Sequence, residues 1–244
     1  QMGSKTAGHP EYGHATGIET TTGPLGQGLA TAVGMALGER LMNARFGDAA
    51  VDHHTYVIAG DGCLMEGISH EAISLAGNLK LSKLIVLFDD NEICIDGPTG
   101  MSVSDDQISR FKACGWDAEG VDGHDPEALS AAIERAKASN KPAMIACKTV
   151  IGKGAPSKQG TSATHGAPLG DDELAGAREA MGWPYGPFEI PDDVLNDWRS
   201  AGSRGSADVS AWEARMGTFD AVKRVEFDRA LTGGLADGWL DALN

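Results

Sequence analysis

Two oxygen-bearing side chains in this 244-residue chain stand where hard-ion chemistry is easily built. Asp61 lies between glycines in Gly60-Asp61-Gly62, and Asn91 closes Asp89-Asp90-Asn91 thirty positions later. Each follows a short apolar run, Thr55 to Ala59 and Lys83 to Phe88. If both runs are parallel strands of one sheet, their carboxyl ends share an edge, the place where ligands bind in such sheets. A carboxylate and a carboxamide there offer hard oxygens to magnesium or calcium, and magnesium completes its octahedron with waters and phosphate oxygens. The glycines allow phosphate to approach the backbone, and the helix that follows supplies free N–H groups and a positive dipole end. Each motif alone is an ordinary strand-ending turn. A metal-bridged diphosphate fits the two together.

His9 and His165 both lie in loops rich in glycine and proline. An imidazole can donate to an oxyanion, exchange protons and place positive charge beside phosphate. Taken singly, either histidine reads as a surface residue, as do His14, His53, His54, His70 and His124. Glu66, one turn after Asp61, reads as helix capping or dipole compensation.

The elements that must hold these groups are legible from hydrophobic pattern. Leu25 to Phe46, apolar at Leu29, Val33, Leu37 and Leu41 and otherwise rich in glycine and alanine, predicts a buried helix. Each interior glycine costs it about 1 kcal/mol, which close backbone packing offsets. Strand 55–59, helix 68–79 and strand 83–88 make a βαβ unit, and the continuously apolar strands predict a parallel sheet covered on both faces. The pattern continues with a helix near 105–114, a strand near 116–121, a helix opened by Asp125-Pro126-Glu127 and a strand at 143–149. Residues 152–170 form a long loop of the kind that is usually functional. Helical segments follow near 171–181, 191–199 and 209–231, and the Gly/Ser-rich 200–208 reads as a linker.

Composition narrows the class. A formal net charge of −15 repels a phosphate backbone, so nucleic acid is not an expected partner. The same charge makes a bound diphosphate unfavourable unless a cation offsets it. Cys63, Cys94, Cys114 and Cys147 show no CxxC or zinc spacing and read as reduced, structural thiols. No run has the length and apolarity of a membrane span, and residues 1–5 form no signal peptide, so no membrane association and a cytoplasmic location are expected. A first residue of Gln1 suggests that sequence precedes it.

Several stretches together resemble the transketolase family of thiamine-diphosphate enzymes. They are Gly8-His9-Pro10-Glu11, the run from Gly17 to Gly28, the run from Gly60 to Gly67, Asp89-Asp90-Asn91-Glu92-Ile93 and the run from His165 to Gly170. The likeness extends from about residue 3 to about 191, and nothing is carried over beyond it. It implies an α/β fold with a parallel sheet, helices on both faces and a helical C-terminal tail. Residues 1–190 would be the diphosphate-binding domain, lacking its N-terminal part, and 191–244 a helical tail or linker toward an absent pyrimidine-binding domain.

The resemblance further implies thiamine diphosphate with Mg2+ as cofactors, Ca2+ being a possible substitute. Asp61 and Asn91 would ligate the metal with side chains and Ile93 with its carbonyl, while the Gly62 N–H meets the diphosphate. Gly23 and Leu25 would meet the aminopyrimidine. His9 would lie near substrate hydroxyls and His165 near diphosphate and thiazolium, and Glu66 would meet a catalytic glutamate of the partner subunit. The implied reaction is two-carbon ketol transfer between sugar phosphates in the pentose phosphate pathway, by a homodimer or with a complementary pyrimidine-domain subunit. This chain alone is expected to be inactive. Two alternatives stay open: a related ketol transferase such as dihydroxyacetone synthase, and a non-catalytic module for cofactor binding or dimerisation.

Overall fold

A computed structural model describes residues 3–6 and 8–241, which fall into two compact units, 1–38 with 54–184 and 39–53 with 185–244. Helix α1 (Gln27–Phe46), of which residues 27–38 belong to the first unit, begins after Gly26. Gly26 has φ 82°, and a Cβ there would come within 2.8 Å of the Ile68 side chain, so backbone freedom and space both demand glycine. Strand β1 (Thr55–Gly60) runs directly into the short helix α2 (Asp61–Met65), followed by α3 (Gly67–Leu79) and β2 (Leu84–Asp90). A small hairpin, β3 (Ile93–Cys94) and β4 (Gly97–Pro98), precedes α4 (Gln107–Ala113), β5 (Asp117–Asp122), α5 (Pro126–Lys137) and β6 (Ala143–Lys148).

The four long strands form one parallel sheet in the order β1-β2-β6-β5. Alternation along the strands sorts side chains between its faces. Leu84, Val86, Phe88, Met144 and Ala146 pack with Leu29, Val33 and Ala36 of α1, Ile73 and Ala76 of α3, and Phe111 of α4. Ile85, Ala143, Ile145 and Cys147 pack with Ala132 and Ala136 of α5 on the opposite face. Both faces of β2 and β6 are covered, as continuously apolar strands require, whereas Tyr56 and Ile58 of β1, in register with Ile85 and Leu87, stay 49% and 77% exposed. The polar β5 sequence, DAEGVD, fits because that strand lies at the sheet edge.

Two contacts lock the helical layer. The Trp116 indole N–H donates to the Ile73 carbonyl at 2.8 Å, and its ring meets Phe111 edge-on at 5.0 Å between centroids. Gly77 lies so near the Cys114 backbone that a Cβ would come to 1.8 Å from that carbonyl oxygen.

Residues 149–170 carry only one 3-10 turn (Ser162–Thr164) before helix α6 (Asp171–Ala180). In the second unit, α7 (Asp192–Ser203), α8 (Gly205–Met216) and α9 (Ala221–Leu231) follow. Its core is Phe46, Ala50, Val51, Met216 and Phe227, and the Trp212 indole donates to the Ala50 carbonyl at 2.8 Å.

Three readings are corrected. The Gly-Asp-Gly turn is a helix start, with Asp61 as the first residue of α2 and Gly60 as its cap. The expected linker 200–208 is almost wholly helical; serine hydroxyls turn back onto helix carbonyls, Ser203 to Ser200 at 3.0 Å and Ser210 to Ser206 at 3.1 Å, so they do not compete with the helix. The single helix expected over 209–231 breaks at 217–220, where the Asp220 carboxylate caps α9 by accepting from the Lys223 N–H at 2.8 Å. Among the described residues, no helix is long and apolar enough to cross a membrane.

Candidate functional site

The register pairs Gly60 of β1 with Asp89 of β2, so the two strand tips lie side by side. Beyond β2 the chain turns through Glu92, a non-glycine residue with φ 61°. That left-handed conformation, sparsely populated by L-residues, sends the Glu92 N–H to the Asp61 carboxylate at 3.1 Å. Asp61 and the Asn91 loop are thus tied to one another directly. The Asn91 amide is held at both ends: its Nδ2 donates to Asp89 at 3.0 Å, and its Oδ1 accepts from the Ile93 N–H at 2.9 Å.

The hairpin adds a third oxygen. The Thr99 N–H donates to the Glu92 carbonyl at 2.9 Å, while the Glu92 N–H goes to Asp61, so this one bond flanks the hairpin's first pair. Bonding alternates along an antiparallel ladder, and that pair, Ile93 with Pro98, turns its polar groups outward. Pro98 has no N–H to give in any case. The Ile93 carbonyl therefore points out of the hairpin, on the side where its own N–H meets Asn91.

Burial, then the neighbouring Asp90, raises the Asp61 carboxyl from 3.8 to about 6, with Asp89 adding a smaller push against the lowering effect of the Glu92 and Asn91 N–H groups. Burial also raises Asp90, opposed by Lys148. Lys148 is engaged with Glu92 at 2.7 Å and Asp90 at 3.8 Å. The strand tips therefore hold a carboxylate in negative surroundings, which a divalent cation would relieve. Among the described residues no three of His, Cys, Asp or Glu gather as ligands. The donors here are one carboxylate, one carboxamide and one backbone carbonyl. Such an incomplete all-oxygen set suits magnesium that keeps positions open for phosphate.

These groups line a cavity of about 400 Å³. Of the nine residues singled out from sequence, Leu25, Asp61, Gly62, Asn91, Ile93 and His165 border it. Leu25 is 53% exposed, unusual for a leucine beside a core helix, and lies so near Gly62 that a Cβ there would be 3.1 Å from its Cδ1. His165 arrives on the 149–170 loop, which is closed by the Gly160 N–H to the Ile151 carbonyl at 2.7 Å and by the Lys158 ammonium to the Leu169 carbonyl at 2.6 Å.

Gly23, His9 and Glu66 are not part of the cavity wall. The exposed His9 ring covers Gly23, 3.1 Å from where a Cβ would be. Exposed Glu66 joins α2 to α3, and its side chain makes no capping hydrogen bond, contrary to the capping reading. Cys63, Cys94, Ile95, Ile151 and Thr164 border the cavity without having been singled out. Residues 92–98 carry no long apolar alternation, so only the hairpin itself reveals Cys94 and Ile95. All four cysteines are free thiols, and burial, then Asp61, raises Cys94.

A larger cleft, about 550 Å³, lies at the opposite, amino-terminal end of β5 and β6. Its Arg135 and Lys141 are already paired with Glu119 and Asp117 at 2.8 and 3.4 Å.

Comparison with known proteins identifies the family. Residues 1–235 match the family model described as transketolase, thiamine diphosphate binding domain. A transketolase of Sinorhizobium medicae is 58% identical over 239 residues, 97% of this chain and 34% of the relative. The solved transketolase of Leishmania mexicana superposes with a TM-score of 0.91 at 43% identity, over 98% of this chain and 37% of that one. A Pichia stipitis transketolase solved with sedoheptulose-7-phosphate gives 0.87 at 39% identity, over 98% and 37%. The chain spans about a third of the length of the relatives it matches.

Proposed function

The chain belongs to the transketolase family, in its thiamine diphosphate binding domain, and from that premise we propose that it forms the diphosphate-holding part of a transketolase active site. The reaction is transfer of a two-carbon ketol unit from a ketose phosphate to an aldose phosphate. The observation that carries the reading is the Glu92 N–H on the Asp61 carboxylate, which joins the tips of β1 and β2 into one oxygen-rich seat.

In this reading Asp61, the Asn91 Oδ1 and the Ile93 carbonyl would hold Mg2+, or Ca2+ in its place, and the ion would offset the negative charge of the diphosphate. Gly62 offers a backbone N–H that, in the first turn of α2, has no intrahelical acceptor. Leu25, exposed on the cavity rim, and Gly23, beside the His9 ring, would receive the aminopyrimidine. Thiamine diphosphate, when bound, supplies carbanion chemistry for breaking and remaking a carbon–carbon bond.

The protein's own groups do the rest. His165 keeps a donor beside the diphosphate and thiazolium, and His9 serves the hydroxyls of the sugar phosphate and exchanges protons with them. Leu25, Ile93, Ile95 and Ile151 limit water in the cavity. Glu66, exposed at the α2–α3 junction, is free to meet a glutamate of a partner subunit. The partner is a second copy or a pyrimidine-domain subunit, and the setting is the pentose phosphate pathway in the cytoplasm.

Calorimetric titration of the full-length enzyme with thiamine diphosphate, with and without Mg2+, tests the proposal beside a coupled ketol-transfer assay. Magnesium-dependent binding that disappears in Asp61→Ala is expected. Equal binding with and without metal, or no transfer between sugar phosphates, would refute it.

A further inference from the structure

A carboxamide has two ends, and only its oxygen can ligate a cation. Nothing in the Asn91 side chain itself decides which end faces the cavity. Its neighbours decide. The Ile93 N–H needs an acceptor and takes Oδ1 at 2.9 Å, while Asp89 offers only acceptor oxygens and takes Nδ2 at 3.0 Å. Asp89 is fixed in turn, because its second carboxylate oxygen accepts from the Thr149 hydroxyl. Thr149 follows β6 directly, and its backbone N–H donates to the Asp90 carbonyl at 3.2 Å, so the hydroxyl is anchored at the sheet end. Asp89 itself is paired on both sides, with Gly60 of β1 and Cys147 of β6, and has little freedom to move.

We propose that Asp89, steadied by Thr149, is a positioning residue that sets the orientation of the Asn91 amide and thereby the affinity for the metal and diphosphate. One of its oxygens holds the Asn91 amide and the other is held by Thr149, so its proposed action runs through Asn91. The inference rests on the cofactor reading above. It adds a dependence on β6, a strand that contributes none of the three proposed ligands.

The test is calorimetric titration of the full-length enzyme with thiamine diphosphate in Mg2+, alongside thermal unfolding without metal. Thr149→Val leaves every charge in place and is expected to weaken binding about tenfold, and Thr149→Ser to restore it to within about threefold. Asp89→Asn, which lets the amide turn over, is expected to weaken binding about 10- to 100-fold without lowering the metal-free melting temperature. The swapped pair Asp89→Asn with Asn91→Asp keeps the total charge and the hydrogen bond and presents an oxygen whichever way residue 91 faces. It is expected to bind more tightly than Asp89→Asn alone.

If Thr149→Val and Asp89→Asn both bind within about threefold of the wild type, the positioning role is overturned while the cofactor reading stands. If the wild type itself binds no thiamine diphosphate in a metal-dependent way, both fall. A Thr149→Val variant that binds weakly and also melts early is a structural loss. Failure of the swapped pair to improve on Asp89→Asn would likewise overturn the orientation argument.

Discussion

Replacing Asp61 by asparagine keeps an acceptor for the Glu92 N–H while removing a charge that the fold holds at a cost. The folded protein raises this carboxyl from 3.8 to about 6, through burial first and Asp90 second. At about 1.4 kcal/mol per tenfold change in proton affinity, a fully ionised Asp61 would cost the metal-free fold about 3 kcal/mol. The carboxyl is only half-buried, and solvent screening reduces this to about 1 to 1.5 kcal/mol. In a protein of this size that corresponds to about 3 to 5 °C in melting temperature.

The sign follows from linkage. A raised carboxyl binds its proton more tightly in the folded state, so the cost is full above pH 6, shrinks as pH falls from about 6 toward 3.8, and vanishes below. Asp61→Asn is therefore expected to melt higher than the wild type at pH 7.5 in EDTA, with the gain roughly halved at pH 5. Addition of Mg2+ and thiamine diphosphate should reverse the order, because ligand binding stabilises only the protein that binds it. Differential scanning calorimetry at two pH values, with and without both ligands, reads all four quantities. A variant that melts below the wild type in EDTA at pH 7.5, or a gain that does not change with pH, would refute the electrostatic account of the site.

Leu25→Ala separates binding from folding: at 53% exposure the side chain adds little to stability, so melting should change by less than about 0.5 kcal/mol. Thiamine-diphosphate affinity, by titration, should fall about tenfold for the lost apolar contact. Gly77→Ala drives a methyl to within 1.8 Å of the Cys114 carbonyl, where the neighbour is backbone and cannot swing away. A loss of about 3 kcal/mol or more in urea unfolding, or failure to fold, is expected. Trp212→Phe removes the N–H that satisfies the Ala50 carbonyl, and should cost about 1 kcal/mol, with faster amide exchange around residues 49–51.

Much of the first unit was legible in the sequence because its signals are local or periodic. The apolar runs of β2 and β6 announce buried parallel strands, and Asp125-Pro126 opens α5 with the carboxylate accepting from the Glu127 N–H at 2.9 Å. The placement of Asp61 and Asn91 at neighbouring tips follows from two strands joined by a short helical crossover, which favours parallel, adjacent strands. Three things needed the fold. The hairpin at 93–98 is too short to leave a period, yet it aims the Ile93 carbonyl and brings Cys94 and Ile95 to the cavity. The Asp89–Thr149 contact joins residues 60 positions apart through sheet order, since β6 lies beside β2 although β5 precedes it in the chain. The packing of Phe46 and Val51 against Met216 and Phe227 likewise depends on long-range closure that no local pattern encodes. Residue type and spacing determined which atoms could hold a metal-bound diphosphate, because strand direction carries them to one edge. Only the tertiary structure decided how the Asn91 amide is oriented, because the Asp89 and Thr149 groups that pin it meet only when the sheet is assembled.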